Sequence, residues 1–479
     1  MAAIQFNVLS DSDIERINDK TLEAFEKIGI KIAHSEAMKL LKKEGAIVDE
    51  TSCIVKFPRK LSKELISQIP ERALRTGLNG KLLSMGGDNT FYGSLVIDPF
   101  IVDYHKGLRK PVLEDVRRNT ILGEALDKIS FIARMECPVD DIPRPDSYLK
   151  TMEVFLKNHT KHTAVLPTSM ENLKTWLGAV DVIADTAGID LKKTPLISLY
   201  MAVTSPLQIH EFNVEIIKEA VKKSFPVRPT VCPMAGATAP YSLAGSILIG
   251  NIEAMAAGML TQVYRKGHPF IYASSPSVTE MKSGHDMYNS APFFLFEAGS
   301  IQMAKHYRIP STGCGSGSLT WKPDIQNGFE TSLTSFPSIA LRANEVFGIG
   351  SCHNANGMSA EHIVMNCEII NALEYLCRGV DTTDEKLGYD SISKVGPGGD
   401  FFTDDLTMKL LRSDEFFHND CFNMFGRYEN NTKDMYERAH EKVNETVSSH
   451  KPALDGKIFE AIEKYFYKLY STKEARERT

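Results

Sequence analysis

Apolar residues return at helical spacing from the start of the chain. Ile14, Ile17, Leu22, Phe25 and Ile28 share one face, Ser10 or Ser12 stands where a cap belongs, and Gly29 ends the run. A second short helix is predicted over Glu36–Lys43. Ile54–Pro58 reads as a strand and Arg59–Ile69 as a helix halted by Pro70. Gly77–Asp103 is rich in glycine and aromatic residues, with short strands expected around Phe91–Tyr92 and Leu95–Ile97. Residues 1–110 are therefore expected to form an N-terminal α+β extension.

After Pro111 the pattern changes. Short apolar runs recur at Phe131–Met135, Thr163–Pro167, Pro195–Tyr200, Val227–Cys232, Pro269–Ala273, Ile309–Thr312 and Phe347–Ser351, each followed by a helical pattern. Their spacing of roughly 30 to 40 residues is that of a βα unit. Buried parallel strands read as continuous apolar runs, as these do, because both faces are covered. The expected fold class is therefore α/β: a TIM (β/α)8 barrel over residues 111–403, with one strand unplaced, and a C-terminal helical segment over 404–479 that caps the barrel or forms an interface. A doubly wound open sheet is the rival arrangement.

Composition narrows the functional classes. The 479 residues are 43% hydrophobic and 24% charged with a formal charge of −6, which disfavours a nucleic-acid partner. Arg117–Arg118 and Lys222–Lys223 read as solvated helix faces. Eight scattered cysteines without a C-x-x-C pair suit a reduced, cytoplasmic protein. The first residues lack a signal-peptide pattern, and no uninterrupted apolar stretch reaches the ~18 residues of a membrane span.

In a barrel, chemistry sits where strands end. Those positions offer mostly Gly, Ser, Thr and Cys, with His353 as the one plainly titratable group. The Gly-rich loop with Gly313, Gly315 and Gly317 would let backbone approach a ligand, or would simply make a tight turn. Asp98 closes the apolar run from Tyr92, and a buried carboxylate needs a partner: an internal Arg or a cationic ligand. Phe91, Tyr92, Tyr200, Tyr241, Tyr272, Phe293 and Trp321 supply aromatic faces near the same mouth. A carboxylate with ring faces is what a quaternary ammonium requires, since it has no N–H to donate. Cys314, Cys352 and His353 show no zinc-ligand spacing, so no intrinsic metal is expected. No strand-end lysine supports a Schiff base.

The segments Met234–Gly245 (running on to Asn251–Glu253), Tyr272–Ser277, Gly315–Glu330 and Val395–Phe402 resemble the trimethylamine methyltransferase family. That resemblance spans most of the chain and implies a TIM barrel that transfers methyl groups to a corrinoid (cobalamin) supplied by a separate corrinoid protein. Founding members carry pyrrolysine near the stretch matching Gly315–Lys322, whereas this chain has only the twenty standard residues. It resembles the non-pyrrolysine branch, which demethylates quaternary amines, and glycine betaine is the expected substrate. The resemblance assigns Asp98 to the ammonium charge or the pocket's orientation. It assigns His353 to the substrate carboxylate or the approach to the corrinoid. Tyr92, Tyr241, Trp321, Phe91 and Glu253 are further substrate-binding candidates, and a homo-oligomer is expected. A zinc-dependent methyltransferase on the same barrel and a non-catalytic betaine-binding protein are the alternatives.

Overall fold

Seven parallel strands build the central sheet: β1 (Phe91–Leu95), β2 (Ile129–Arg134), β3 (His162–Val165), β4 (Ile197–Ala202), β5 (Val227–Thr230), β6 (Thr312–Cys314) and β7 (Glu345–Ile349). Their order in space is β5-β4-β3-β2-β1-β7-β6. The computed structural model describes residues 4, 6–419, 421–424, 432–471 and 476. Residues 269–273 then meet both edges: Phe270 bridges Val227 at β5, and Tyr272 bridges Ser311 just before β6, both in parallel sense. The Ile271 N–H donates to the Val227 carbonyl at 2.9 Å and the Tyr272 N–H to the Pro310 carbonyl at 2.8 Å. One segment that touches both edges requires a sheet curled back on itself.

A helix follows each strand and the 269–273 segment: α1 (Leu113–Ala125), α2 (Ser147–Lys157), α3 (Met170–Ala187), α4 (Glu211–Lys223), α5 (Leu243–Tyr264), α6 (Phe293–His306), α7 (Ile325–Ala340) and α8 (Ala360–Cys377). Ser169, Ser242 and Ser359 start α3, α5 and α8, each accepting a backbone N–H from the first turn. These helices cover the outer face, so Phe131, Ile132, Val165, Leu199 and Val346 are all within 1% of full burial. Among the described residues α5 is the one helix long and apolar enough to cross a membrane, and 72% of that stretch is buried inside the fold.

The sheet takes in one strand from residues 1–110, where an N-terminal extension was expected. β1, the strand that spacing left unplaced, lies at the sheet's centre between β2 and β7. Its sequence, Phe-Tyr-Gly-Ser-Leu, lacks the β-branched run that marked the other strands. Gly93 accounts for part of that: a Cβ there would stand 2.1 Å from the ring of Phe131, its partner in register on β2. Glycine here makes room for a core aromatic. Gly93→Ala is expected to cost about 1–3 kcal/mol through overpacking, read as a lowered midpoint in chemical unfolding; an unchanged midpoint would mean that the ring moves aside freely.

Before β1, a capped helix (Asp11–Lys27) buries Ile17, Leu22 and Phe25, and the Asn251 amide of α5 donates to Thr21 Oγ1 at 2.8 Å. The hairpin Ala73–Thr76 and Leu82–Met85 sends Arg75, 0% exposed, towards the rings of Phe131 and Tyr200. At the other end of the chain, α9 (Met435–Ser449) packs on α8 and α1, and α10 (Gly456–Leu469) on α3 and α2. These last helices lie outside the helical layer.

Candidate active site

Among the C-terminal halves of the strands and the loops that follow them lies a cavity of about 400 Å³, a volume suited to a small ligand. Its inner part is lined from within the strands, by Leu95, Ala133, Arg134, Tyr200, Arg228, Thr312 and Phe347. Its outer part is lined by loops, which contribute Asp98, Ser275, Asp286, Tyr288, Asn289 and Asn354–Asn356.

Asp98 stands three residues past the end of β1. It is 2% exposed, and no described residue donates to its Oδ2. The preceding chain is held rigidly: Val96 and Ile97 are fully buried, and the Asn119 amide of α1 donates to the Val96 carbonyl at 3.0 Å. Burial alone pushes the Asp98 carboxyl well above the usual carboxylate range, because no neighbour stabilises its charge. Burial also raises Asp286, partly offset by the Ser277 hydroxyl. Asn289 turns a further buried oxygen, Oδ1, that receives no donor among the described residues.

The loop after β7 shapes the mouth. His353, Asn354 and Ala355 all have positive φ, +52°, +54° and +57°, a backbone seldom adopted by residues with side chains. That turn lets Asn354 clasp the opposite loop: its Oδ1 accepts the Tyr288 N–H at 2.9 Å and its Nδ2 donates to the Asp286 carbonyl at 2.5 Å. The Tyr288 ring packs against Phe293 at 4.8 Å. His353 itself stands edge-on to Phe100, 5.9 Å between centroids, with its N–H donating to the Thr320 carbonyl. Asn354, Ala355 and Asn356 reach the cavity; the His353 side chain does not line it.

The expected aromatic group of Phe91, Tyr92, Tyr241 and Trp321 is not assembled. Phe91 and Tyr92 open β1, away from the mouth, and the Tyr92 hydroxyl donates to Glu374 Oε1 of α8 at 2.6 Å. Tyr241 is 69% exposed, and Trp321 lies against Gly107. Glu253 is buried but accepts from Ser205 Oγ at 2.6 Å and the Leu207 N–H at 2.7 Å, fastening the loop after β4. Of the loop glycines, Gly313 reaches the cavity. A Cβ on Gly313 would meet Ser338, and one on Gly317 would meet the Asn289 amide, while Gly315 donates to the Phe347 carbonyl at 2.7 Å. These glycines permit close packing of protein on protein.

The ring faces at the cavity belong to Tyr200, Phe347 and Tyr288, of which Tyr200 was among the expected aromatics. Arg134, Arg228 and Asp286 were not anticipated. The arginines had a readable signal, a charge inside an apolar strand run, since such a charge must be paired. Asp286 sits in a polar loop with no pattern around it. Cys232 and Cys314 line the cavity and Cys137 and Cys352 lie near Asp98; burial pushes Cys137 and Cys232 up to about 12 and also raises Cys314 and Cys352. They stay protonated at neutral pH and offer no thiolate. Among the described residues no three His, Cys, Asp or Glu side chains converge on one point as metal ligands would. The geometry suits holding and orienting a small cation against a desolvated carboxyl group.

The trimethylamine methyltransferase family profile matches residues 2–472. Trimethylamine methyltransferase MttB of Desulfitobacterium hafniense (strain DSM 10664 / DCB-2) is 30% identical over 411 residues, 84% of this chain and 82% of that protein. Glycine betaine methyltransferase of Desulfitobacterium hafniense (strain Y51) is 26% identical over 460 residues, 95% of each chain. Among solved structures, the Methanosarcina barkeri monomethylamine methyltransferase (MtmB) aligns over 91% of this chain and 92% of its own, at 14% identity and a TM-score of 0.49.

Proposed function

We propose that this chain, which belongs to the trimethylamine methyltransferase family and is a methyltransferase, moves a methyl group from a quaternary amine, glycine betaine by preference, to Co(I) of a corrinoid carried by a partner protein. The single observation that carries the substrate class is Asp98, a buried carboxylate with an orphaned oxygen facing a cavity walled by ring-bearing side chains. A quaternary ammonium supplies the missing positive charge without an N–H, and the Tyr288 ring in the outer part of the cavity complements its methyl surface. No acid or base is needed: the carbon–nitrogen bond breaks with its electron pair staying on nitrogen, and a neutral tertiary amine leaves. Co(I) supplies the attacking electron pair, so the protein's residues orient the cation, exclude water and leave one methyl facing the mouth. The twenty-residue alphabet of the chain agrees with this, since a tertiary amine would need prior activation.

In the same reading residues 269–273 are the eighth strand, closing the sheet into a barrel; the corrinoid protein docks over the mouth, and the reaction belongs to the reducing cytoplasm. Incubating the protein with reduced cobalamin and glycine betaine is expected to yield methylcobalamin and dimethylglycine in equal amounts. Absence of dimethylglycine with both free cobalamin and the cognate corrinoid protein would refute the reaction.

Binding should also carry a pH signature. Burial raises the Asp98 pKa in the empty protein, and a bound cation favours its ionised form, so binding releases a proton. Affinity for glycine betaine is therefore expected to rise with pH from the ordinary carboxylate range up to the raised value and then level off. Calorimetry in buffers of different ionisation enthalpy reads the proton directly; pH-independent affinity would place the cation elsewhere.

A further inference from the structure

Two arginines share one carboxylate on the cavity floor. Glu345, the first residue of β7, is 0% exposed; its Oε2 lies 2.5 Å from Arg75 Nη2 and its Oε1 2.8 Å from Arg228 Nε. Guanidinium groups stay protonated in proteins, so the triad holds two positive charges against one negative. No other acidic side chain among the described residues pairs with either arginine. Arg134 sets the contrast. It also lines the cavity, but Glu136 takes both of its carboxylate oxygens to Arg134 Nη2, at 2.6 and 2.7 Å, and balances the charge.

The surplus charge has one open side. Arg75 is sealed beneath the sheet, whereas Arg228 lines the cavity. Its other contacts are neutral: Thr312 and Thr230 hydroxyls at 3.2 Å, and the rings of Tyr200 and Phe347 at 4.5 and 5.6 Å. Those two rings are thus already facing a cation, which makes the floor a poor place for an ammonium group. Carboxyl groups gather at the mouth, where Asp98 and Asp286 stand beyond the strand ends. Arg228, by contrast, lies within β5. The cavity is therefore graded along its depth, with a surplus positive charge at the floor and carboxyl groups at the rim.

We propose that Arg228, held in place by Glu345 and Arg75, is an anion subsite that takes the carboxylate of a zwitterionic substrate and thereby turns its methylated nitrogen towards the mouth. This rests on the methyl-transfer reading and deepens it to short quaternary amines that carry a carboxylate. A substrate ending in a hydroxyl leaves the buried surplus charge unanswered, and a site built for a polar group discriminates strongly against an analogue lacking it.

Calorimetry with glycine betaine and choline on wild-type protein, Arg228→Met and Arg228→Lys tests the assignment. Wild type is expected to favour glycine betaine over choline by at least about 100-fold. Arg228→Met should lose roughly that preference by weakening betaine alone, with choline affinity unchanged or improved; Arg228→Lys should keep part of it. Removing Arg228 leaves Arg75 and Glu345 as a balanced pair, so the variant is expected to fold, which circular dichroism checks. Equal binding of both amines by wild type, or an Arg228→Met variant that binds betaine normally or loses both amines alike, would overturn the subsite and leave methyl transfer standing. Wild-type protein that binds neither amine would overturn both.

Discussion

Asp98→Asn is expected to lower kcat/KM for a quaternary amine by about 100-fold or more while leaving the fold intact or more stable. Losing one preorganised charge at a reacting centre commonly costs two to three orders of magnitude, roughly 3–4 kcal/mol. Asparagine keeps the shape and removes the charge that faces the ammonium. The stability half of the prediction follows from linkage. Burial raises the folded-state pKa of Asp98 above its unfolded value of ~3.9, so the folded protein binds the extra proton. That contribution is fully present below the unfolded pKa and is lost as pH rises through the folded one, so the carboxyl weakens the fold at neutral pH. The variant should therefore melt at the same or a higher temperature than wild type near pH 7, with a flatter dependence of stability on pH. Unchanged turnover would remove Asp98 from the site. Reduced stability together with reduced turnover would assign it a structural role.

Glu345→Gln should act in the opposite sense, principally on stability. It leaves the buried guanidiniums of Arg75 and Arg228 facing each other without a carboxylate between them. Breaking a buried ion pair by removing one partner costs about 3–5 kcal/mol, because a buried charge loses its compensation. Chemical unfolding should show that loss as a lowered midpoint. Arg228→Met, which leaves the triad balanced, should lose far less. Similar losses in the two variants would mean that water or an unseen acceptor neutralises the arginines.

The contrast between these two sites reflects what the sequence made visible. The parallel strands were legible because helices cover them on the outside, which makes Thr163–Pro167 and Pro195–Tyr200 continuous apolar runs. β1 was missed as part of the sheet because Gly93 and Ser94 replace that run: one clears space for Phe131, and the other donates its hydroxyl to the Ile349 carbonyl at 3.1 Å. Asp98 was legible as a charge closing an apolar stretch, and the structure places it at the cavity. Arg228 carried the same kind of signal inside Val227–Cys232, but it lies within a strand, away from the strand ends where barrel chemistry is expected. The aromatic residues were harder. Tyr92 and Tyr200 look alike in sequence, yet strand register and pleat turn one to Glu374 on the outer helices and the other into the cavity. Asp286 and Tyr288 take their places from the clasp of Asn354, a contact made across 66 residues of chain.

Whether this cavity delivers a methyl group from a quaternary amine is tested most directly by the absorbance of Co(I) cobalamin under anaerobic conditions. The purified protein is mixed with the reduced cofactor, and glycine betaine, choline and trimethylamine are added in separate runs, repeated with the cognate corrinoid protein. Rapid replacement of the Co(I) spectrum by that of methylcobalamin with glycine betaine, slow or no change with choline, and none with trimethylamine is the predicted result. A spectrum that changes with trimethylamine and not with glycine betaine, or with no amine even on the corrinoid protein, would contradict it.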